Sequence, residues 1–430
     1  MKIWKFIPLA AIVVFFSCSK KALTIQPENK TVPEGYYNSS QRIQQAVIGG
    51  YVDLRRALFA NYAWLMYGEV RAGDMNVTVP YLSAVANQEL TSGNDNVAQL
   101  SDWGYFYDVI KDANDVLDII ANADEEVLDS YRRNLFKGEA LALKSTAYFY
   151  LARIWGTIPS AEKNNMGKHL SNEEAVSMAA QFATEAQALL PWLLINDDGI
   201  ESAALTAVRF NRTAITSLLA QEELWLGNGQ NAYDLLSSTF TAATVDSLSG
   251  FGLSSGADRR TSIPQNPLSG SAVRMPLDKL DVIYPEGDAR RDRMFSISTD
   301  NNIATLKVRD ASVVELLPTR EILLLFAEAA WKSGQLEEAK EFLIEGASGA
   351  TEDYSTLTEA TFGDALLLER QRLLAGTGQR FFDLIRFKKV SAFISSFTEA
   401  DVDKGAAWWP LSANSLRGNS WSQNSFWANP

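Results

Sequence analysis

Cysteine and histidine are almost missing: the 430 residues contain one of each, Cys18 and His169. A single thiol excludes an intramolecular disulfide, a zinc knuckle and a Cys-x-x-Cys redox pair. A single imidazole excludes a His-rich metal site. It leaves a Ser-His-Asp triad only if every part converges on His169, which lies in the polar stretch 166–170, expected to be a loop. Positive charge is also short, with 39 Lys plus Arg against 52 Asp plus Glu for a net charge of −13. Such a chain has no basic field with which to track phosphates, so nucleic acid is not an expected partner. No metal or other cofactor is expected, and any catalysis would fall mainly to carboxylates. Aromatic residues, by contrast, are plentiful at 11%, including 11 Trp.

The N-terminus is the one strongly apolar segment. Lys2 and Lys5 precede an apolar run over 6–16, followed by Ser17, Cys18, Lys20 and Lys21. At about 1.5 Å rise per residue this run falls far short of the ~30 Å hydrocarbon core of a bilayer. A charged start, a short apolar stretch and a small residue before the cut describe an export signal. A cysteine directly after that small residue resembles a bacterial lipoprotein signal, so residues 1–17 are expected to be a signal peptide and Cys18 the acylated lipid anchor. The alternative is a signal whose cysteine is incidental. Residues 18–38, with Pro27 and Pro33 and few apolar side chains, read as a tether.

From 39 to 430 the pattern is that of one helical domain. Apolar residues recur at helical spacing over 40–58, 103–121, 134–155, 211–226, 230–240, 319–332, 336–346 and 362–375. A further helix is opened at Ser171 by a Ser-x-x-Glu capping box and runs to about Leu190. Two stretches repeat each other: Ala220, Gly227 and Ala232 have the same offsets as Ala327, Gly334 and Ala339. Small residues that let helices approach, with a glycine ending the first helix, are the signature of a tetratricopeptide pair. The expected fold is therefore all-α, with tetratricopeptide-like helix pairs forming a scaffold. Long irregular loop excursions interrupt it at about 74–100 and 241–318, and such loops are commonly functional. Within the second, 281–284 and 296–298 are at most short β-like runs.

Several motifs in order resemble the SusD/RagB family of surface nutrient-binding lipoproteins. They are LTIQP (23–27), YYNSS (36–40), AVIGGY (46–51), the acidic turn GEVRAGD (68–74), and Trp103 with Tyr107, Ile110 and Asn114. KGEA (137–140) through YFYL (148–151) to GTIP (156–159) follow, then LLFAEA (324–329), Glu369-Arg370, GQR (378–380), DLIR (383–386), Pro410 and Gln423-Asn424. The chain departs from the pattern at FLIEG (342–346), which lacks an Asn-x-x-Arg element, and at Leu374 and Thr377, where acidic residues are expected. The resemblance implies a protein lipid-anchored in the outer membrane and facing the cell exterior. It would capture an oligosaccharide, or a peptide, and deliver it to a SusC-like TonB-dependent transporter.

In that family the ligand-facing aromatics come from the loop after the acidic turn and from the long insertion. The resemblance therefore points to Tyr81 with Asn94 and Asn96, and to Tyr284 with Asp281, as ligand-binding residues. Flat rings bind the apolar faces of sugars while amides and carboxylates satisfy the hydroxyls. Tyr148, Phe149, Trp155, Trp225, Phe326, Phe381 and Phe382 are expected in the core. Trp408, Trp409, Trp421 and Trp427 should pack the tail. Arg290, Arg291 and Arg293 beside Asp288 and Asp292 read either as an anion grip or as a local ion-pair network. Glu369, Arg370, Arg380, Asp383 and Arg386 read as structural pairs. Two rival readings use the same residues: a glycoside hydrolase with Glu69 and Asp74 as its acid–base pair, and a helical-repeat adaptor that binds only protein. Replacing Cys18 by Ser should move the protein from the membrane to the soluble fraction on cell fractionation. A variant that stays with the membrane would contradict lipid anchoring.

Overall fold

The helices form where apolar side chains recur every three or four residues, and each ends on an identifiable signal. The computed structural model describes residues 35–91, 95–162, 165–240, 248–254, 273–307, 313–417 and 421–428. The signal segment, Cys18 and most of the tether lie outside the described residues. The principal helices are α1 (Ser40–Phe59), α2 (Gly104–Asn122), α3 (Ser130–Trp155), α4 (Asn172–Leu189), α5 (Arg212–Trp225), α6 (Gly229–Thr239), α7 (Glu321–Lys332), α8 (Leu336–Gly346), α9 (Glu359–Leu373) and α10 (Arg380–Arg386). From Leu135 onward α3 is buried on nearly every side, as expected of the helix against which α1, α2 and α4 pack. It stops at Gly156, whose φ of +76° suits glycine. The capping box at the start of α4 forms as expected: Glu174 N–H donates to Ser171 Oγ at 3.2 Å, and Ser171 N–H to Glu174 Oε2 at 2.8 Å.

The repeated pairs α5–α6 and α7–α8 are present and stack on each other. Ala220, Ala232, Ala327 and Ala339 are fully buried where the helices meet. Gly227 and Gly334 end the first helix of each pair at φ +80°. At Gly229 the second helix of the first pair comes so close to Lys332 that a Cβ would collide with it. The fold is thus mainly helical and tetratricopeptide-like.

The excursions are more ordered than the sequence reading expected. Strand β1 (Asn76–Val77), from the first, pairs antiparallel with β5 (Val273–Pro276), from the second, in the register Asn76 to Arg274 and Val77 to Val273. With β6 (Phe295–Ser298) and β7 (Ile303–Leu306) they form a sheet of order β1-β5-β7-β6. The second excursion is closed at its root by β4 (Phe251–Ser254) against β8 (Val313–Leu317), with the Phe251 ring stacked on Phe210 at 4.2 Å. Two expectations need correction. Residues 281–283 belong to a short helix, Leu277–Ile283, because Leu277, Leu280 and Ile283 recur at helical spacing and Leu280 and Ile283 are buried. His169 lies on a strand, β3 (Asn165–Leu170), which pairs with β2 (Ile158–Glu162) as a hairpin rather than forming a loop.

Charged side chains are buried at the junctions between these elements. Glu139 of α3 receives Tyr51 Oη at 2.8 Å and Arg209 Nε at 2.6 Å, which joins α1, α3 and the start of α5. Arg370 of α9 reaches Glu321 of α7 at 2.8 Å and Asp383 of α10 at 2.9 Å. Arg386 closes the set on Asp383 at 2.8 Å and Glu328 at 3.0 Å. Arg290 pairs with Asp288 and Glu369, so the arginine cluster is anchored locally rather than presented to solvent as a grip.

Among the described residues, two buried carboxyls form no ion pair. Glu222 accepts from Ser145 Oγ at 2.6 Å, and burial raises its pKa to about 8. Burial raises Glu69 to about 8 as well, against the opposing pull of backbone N–H groups. Both groups stay protonated in the fold near neutrality and ionise once unfolded, so the unfolded chain binds fewer protons between about pH 4.5 and 8. Stability should therefore fall as pH rises through that window. Thermal unfolding of Glu222→Gln should show a flatter decline in Tm between pH 5 and pH 8 than the parent; equal slopes would contradict the assignment.

Candidate functional site

The acidic turn is a mechanical hub. Residues Met66–Val70 form a buried π-helical turn, and Glu69 Oε1 accepts the N–H groups of Gly376 and Gly378, both at 3.0 Å. Gly68 lies so near this loop that a Cβ would stand 2.5 Å from the Gly378 carbonyl. Arg71 donates to the carbonyls of Ala406 and Ala407, both at 2.7 Å, and lies 4.2 Å above the Phe381 ring. Burial without a carboxylate partner lowers its pKa to about 9. Asp74 accepts from Gln371 Nε2 at 2.9 Å and faces Arg380 Nε at 3.2 Å. Glu69, at 2% exposure, and Asp74 are thus committed to holding the turn against α9, α10 and the loop between them.

The turn fixes where the first excursion leaves the scaffold, and that excursion comes back over the end of α1. There the chain breaks at Asn61 and Tyr62, which take φ of +51° and +56° in succession. Two adjacent non-glycine residues in the left-handed region cost on the order of 1–3 kcal/mol each and point to a site whose surroundings hold them there. The holding contacts are visible. Asn61 Nδ2 donates to Gln99 Oε1 at 2.7 Å and lies 3.4 Å from the Asn96 carbonyl, and Gln99 Nε2 donates to Tyr105 Oη at 2.8 Å. The Arg56 guanidinium stands 4.5 Å over the Tyr105 ring.

Tyr81 is carried to the same corner by the 3-10 turn Pro80–Leu82, in which buried Leu82 is the anchor and Ser83 Oγ donates to the Pro80 carbonyl at 2.7 Å. The ring remains 44% exposed. Burial raises the Tyr62 pKa, and neighbouring Tyr81 adds to the effect, so Tyr62 is a neutral phenol across the accessible pH range. Three tyrosine rings and the amides of Asn61 and Gln99 therefore share one partly exposed surface. The combination can stack on an apolar face and hydrogen-bond with hydroxyls on its edge.

The candidates read from the sequence separate accordingly. Tyr81 and Asn96 are brought to one corner by contacts among the segments 60–62, 80–82 and 95–100. Asn94 lies outside the described residues. Asp281 sits on the helix Leu277–Ile283 in an ion pair with Arg291 at 2.6 Å. Tyr284 must be corrected. It is 1% exposed, its hydroxyl donates to the Arg372 carbonyl at 2.6 Å and its ring meets Phe295, so it is a core residue and no ligand can reach it. Asn61, Tyr62, Gln99 and Tyr105 were missed. Their one local signal is the Asn that follows the end of the first apolar repeat, since Asn tolerates the left-handed region better than most residues.

Comparison with known proteins gives a consistent picture. A family model described as "Starch-binding associating with outer membrane" matches residues 27–224, and a model of the SusD family matches 319–430. A SusD-like protein of Bacteroides ovatus is 28% identical over 177 residues, which cover 38% of this chain and only 30% of that relative. A SusD superfamily structure from Bacteroides thetaiotaomicron superposes with a TM-score of 0.75 at 22% identity, covering 91% of this chain and 99% of the other. The surface glycan-binding protein A of Bacteroides uniformis superposes with a TM-score of 0.69 at 17% identity, covering 90% and 100%.

Proposed function

The chain belongs to the SusD/RagB family, and from that premise we propose that it captures an oligosaccharide and delivers it to a SusC-like TonB-dependent outer-membrane transporter. The observation that carries this reading is the Tyr62–Tyr81–Tyr105 surface with its amides from Asn61 and Gln99. Rings of this kind remove the apolar face of a sugar from water, and the amides replace the hydrogen bonds its hydroxyls lose. The family description of starch binding and the printed function of the Bacteroides uniformis neighbour support glycan as the ligand class. In this reading Cys18 carries the lipid, residues 18–38 are the tether, and the rest of the chain is a single domain displayed at the cell surface.

The protein acts on this view by binding without cleavage. Glu69 and Asp74, the pair a hydrolase reading would need, are used to hold the acidic turn. Purified protein screened against an oligosaccharide array should retain a glycan and release no shortened product. Apolar area removed from water is worth roughly 25 cal/mol per Å², so a ring that covers ~50 Å² of a sugar face contributes about 1.3 kcal/mol. Tyr62→Ala and Tyr81→Ala should each weaken binding several-fold to tenfold by calorimetry, with Tm nearly unchanged for exposed Tyr81 and lowered for Tyr62, which packs partly against the core. Unchanged affinity in both variants would place the site elsewhere, and shortened products would favour the hydrolase.

A further inference from the structure

The C-terminal tail borders a half-open cleft whose lining shares no residue with the Tyr81 surface. It has a volume of about 420 Å³ and lies between the end of α3, the β2–β3 hairpin and the tail segments 403–411 and 421–425. A volume of this order is typical of small-molecule sites. One wall is the Trp408 indole, laid against Gly156 so closely that a Cβ there would stand 3.1 Å from the ring. Another is Trp421, sandwiched edge-on to Trp103 at 5.2 Å and stacked face to face with His169 at 3.7 Å and 16°. The only histidine of the chain is therefore built into the wall of this cleft. Thr157 and Ser425 add hydroxyls to the lining, and the exposed Asp403 and Lys404 bring one charge of each sign to it.

The tail that forms the cleft is fixed in place by paired amides. Gln423 both accepts from Leu411 N–H at 2.8 Å and donates to the Leu411 carbonyl at 2.6 Å. Asn424 donates to the Gly405 carbonyl at 3.1 Å and accepts from Trp427 N–H at 3.1 Å. The Trp427 indole N–H donates to the Trp408 carbonyl at 2.7 Å. The indole N–H groups of Trp155 and Trp409 are covered and have no partner among the described residues, so ligand contacts must come from the ring faces and the polar lining. These bonds hold the walls apart in the absence of a ligand, which limits the ordering cost of binding.

We propose that this cleft is a second saccharide site, which takes one or two sugar rings between Trp408 and the His169–Trp421 stack. Flat apolar walls and scattered hydroxyls fit a compact polyol with apolar faces. A peptide would instead call for a free strand edge or a continuous apolar groove, whereas this lining is assembled from a helix end, a hairpin and a folded tail. The ligand class rests on the glycan-binding reading above, but the residues are independent of Tyr62 and Tyr81.

The test uses the full chain with maltohexaose, cellohexaose and laminarihexaose as probes, followed by calorimetry and tryptophan fluorescence. The variants are Tyr62→Ala/Tyr81→Ala, Trp408→Ala and Thr157→Trp. The last fills the cleft without removing a packed side chain, so it stays informative if Trp408→Ala unfolds. With the tyrosine pair removed, a weaker binding event that shifts tryptophan emission should persist for a probe that the parent binds. Adding Thr157→Trp should reduce that residual event at least tenfold. Loss of all binding in the tyrosine variant overturns the second site and leaves the first standing, as does residual binding indifferent to Thr157→Trp. Full-strength binding in the tyrosine variant, abolished by Thr157→Trp, supports the cleft and overturns the Tyr81 surface. No binding of any probe by the parent overturns both.

Discussion

Four consecutive residues of α9 hold the molecule together, tying it to both excursions, to α7 and to α10. Glu369 receives Arg290 from the second excursion and Tyr354 Oη at 2.6 Å. Arg370 joins α7 to α10 through Glu321 and Asp383. Gln371 reaches Asp74 at the root of the first excursion. Arg372 donates to the Ile283 carbonyl at 2.6 Å, while its own carbonyl accepts Tyr284 Oη. A helix turn of 3.6 residues sends successive side chains about 100° apart, so four in a row point around the whole helix. Such a helix can serve as an axle only where it is surrounded by protein, as the C-terminal half of α9 is.

This arrangement explains why so many charges are buried. A buried ion pair adds little net stability over a well-packed apolar pair, but removing one partner costs about 3–5 kcal/mol. What such pairs supply is a single allowed geometry. The excursions need that constraint, because their strands are two to five residues long and could not fix their own position. The acidic turn works the same way. Glu69 takes two backbone N–H groups from a glycine loop that approaches too closely for any Cβ, and Arg71 spans to the tail at Ala406 and Ala407. The root of the first excursion and the C-terminal tail are therefore parts of one fixed body, and both of the surfaces proposed to take a glycan are built on it.

The scaffold was legible in the sequence because amphipathic periodicity is a local property summed over many turns. Helices α1 to α9 lie within a few residues of their expected bounds, and the two Ala-Gly-Ala pairs fall where their offsets placed them. The excursions were not legible in the same way. Two-residue β1 has no periodicity to read, and its partner β5 lies about two hundred positions away. Tyr284 shows how a loop reading goes wrong. Leu277, Leu280 and Ile283 already carry helical spacing and point Tyr284 inward, but the polar composition around them hid it. At the Tyr81 corner the sequence placed the exposed ring and Asn96 together, while Asn61 and Tyr62 belonged to the unremarked end of a helix. Their importance is conformational: only the dihedral angles show that two non-glycine residues are held in the left-handed region.

That strain bears on how the surface can work. The Asn61–Tyr62 conformation is maintained by Gln99 and, through it, Tyr105, all of which are present without ligand. A ring already held in its binding orientation loses little side-chain entropy when a sugar arrives, so more of the stacking energy appears as affinity. The same logic covers the scarcity of chemistry-bearing residues noted at the outset. A binding surface needs shape and rigidity more than reactive groups, and here the one histidine contributes as a flat ring against Trp421. The aromatic surplus follows from two demands of the fold: rings to fill a large helical core, and a few kept half-exposed by contacts that the core makes rigid.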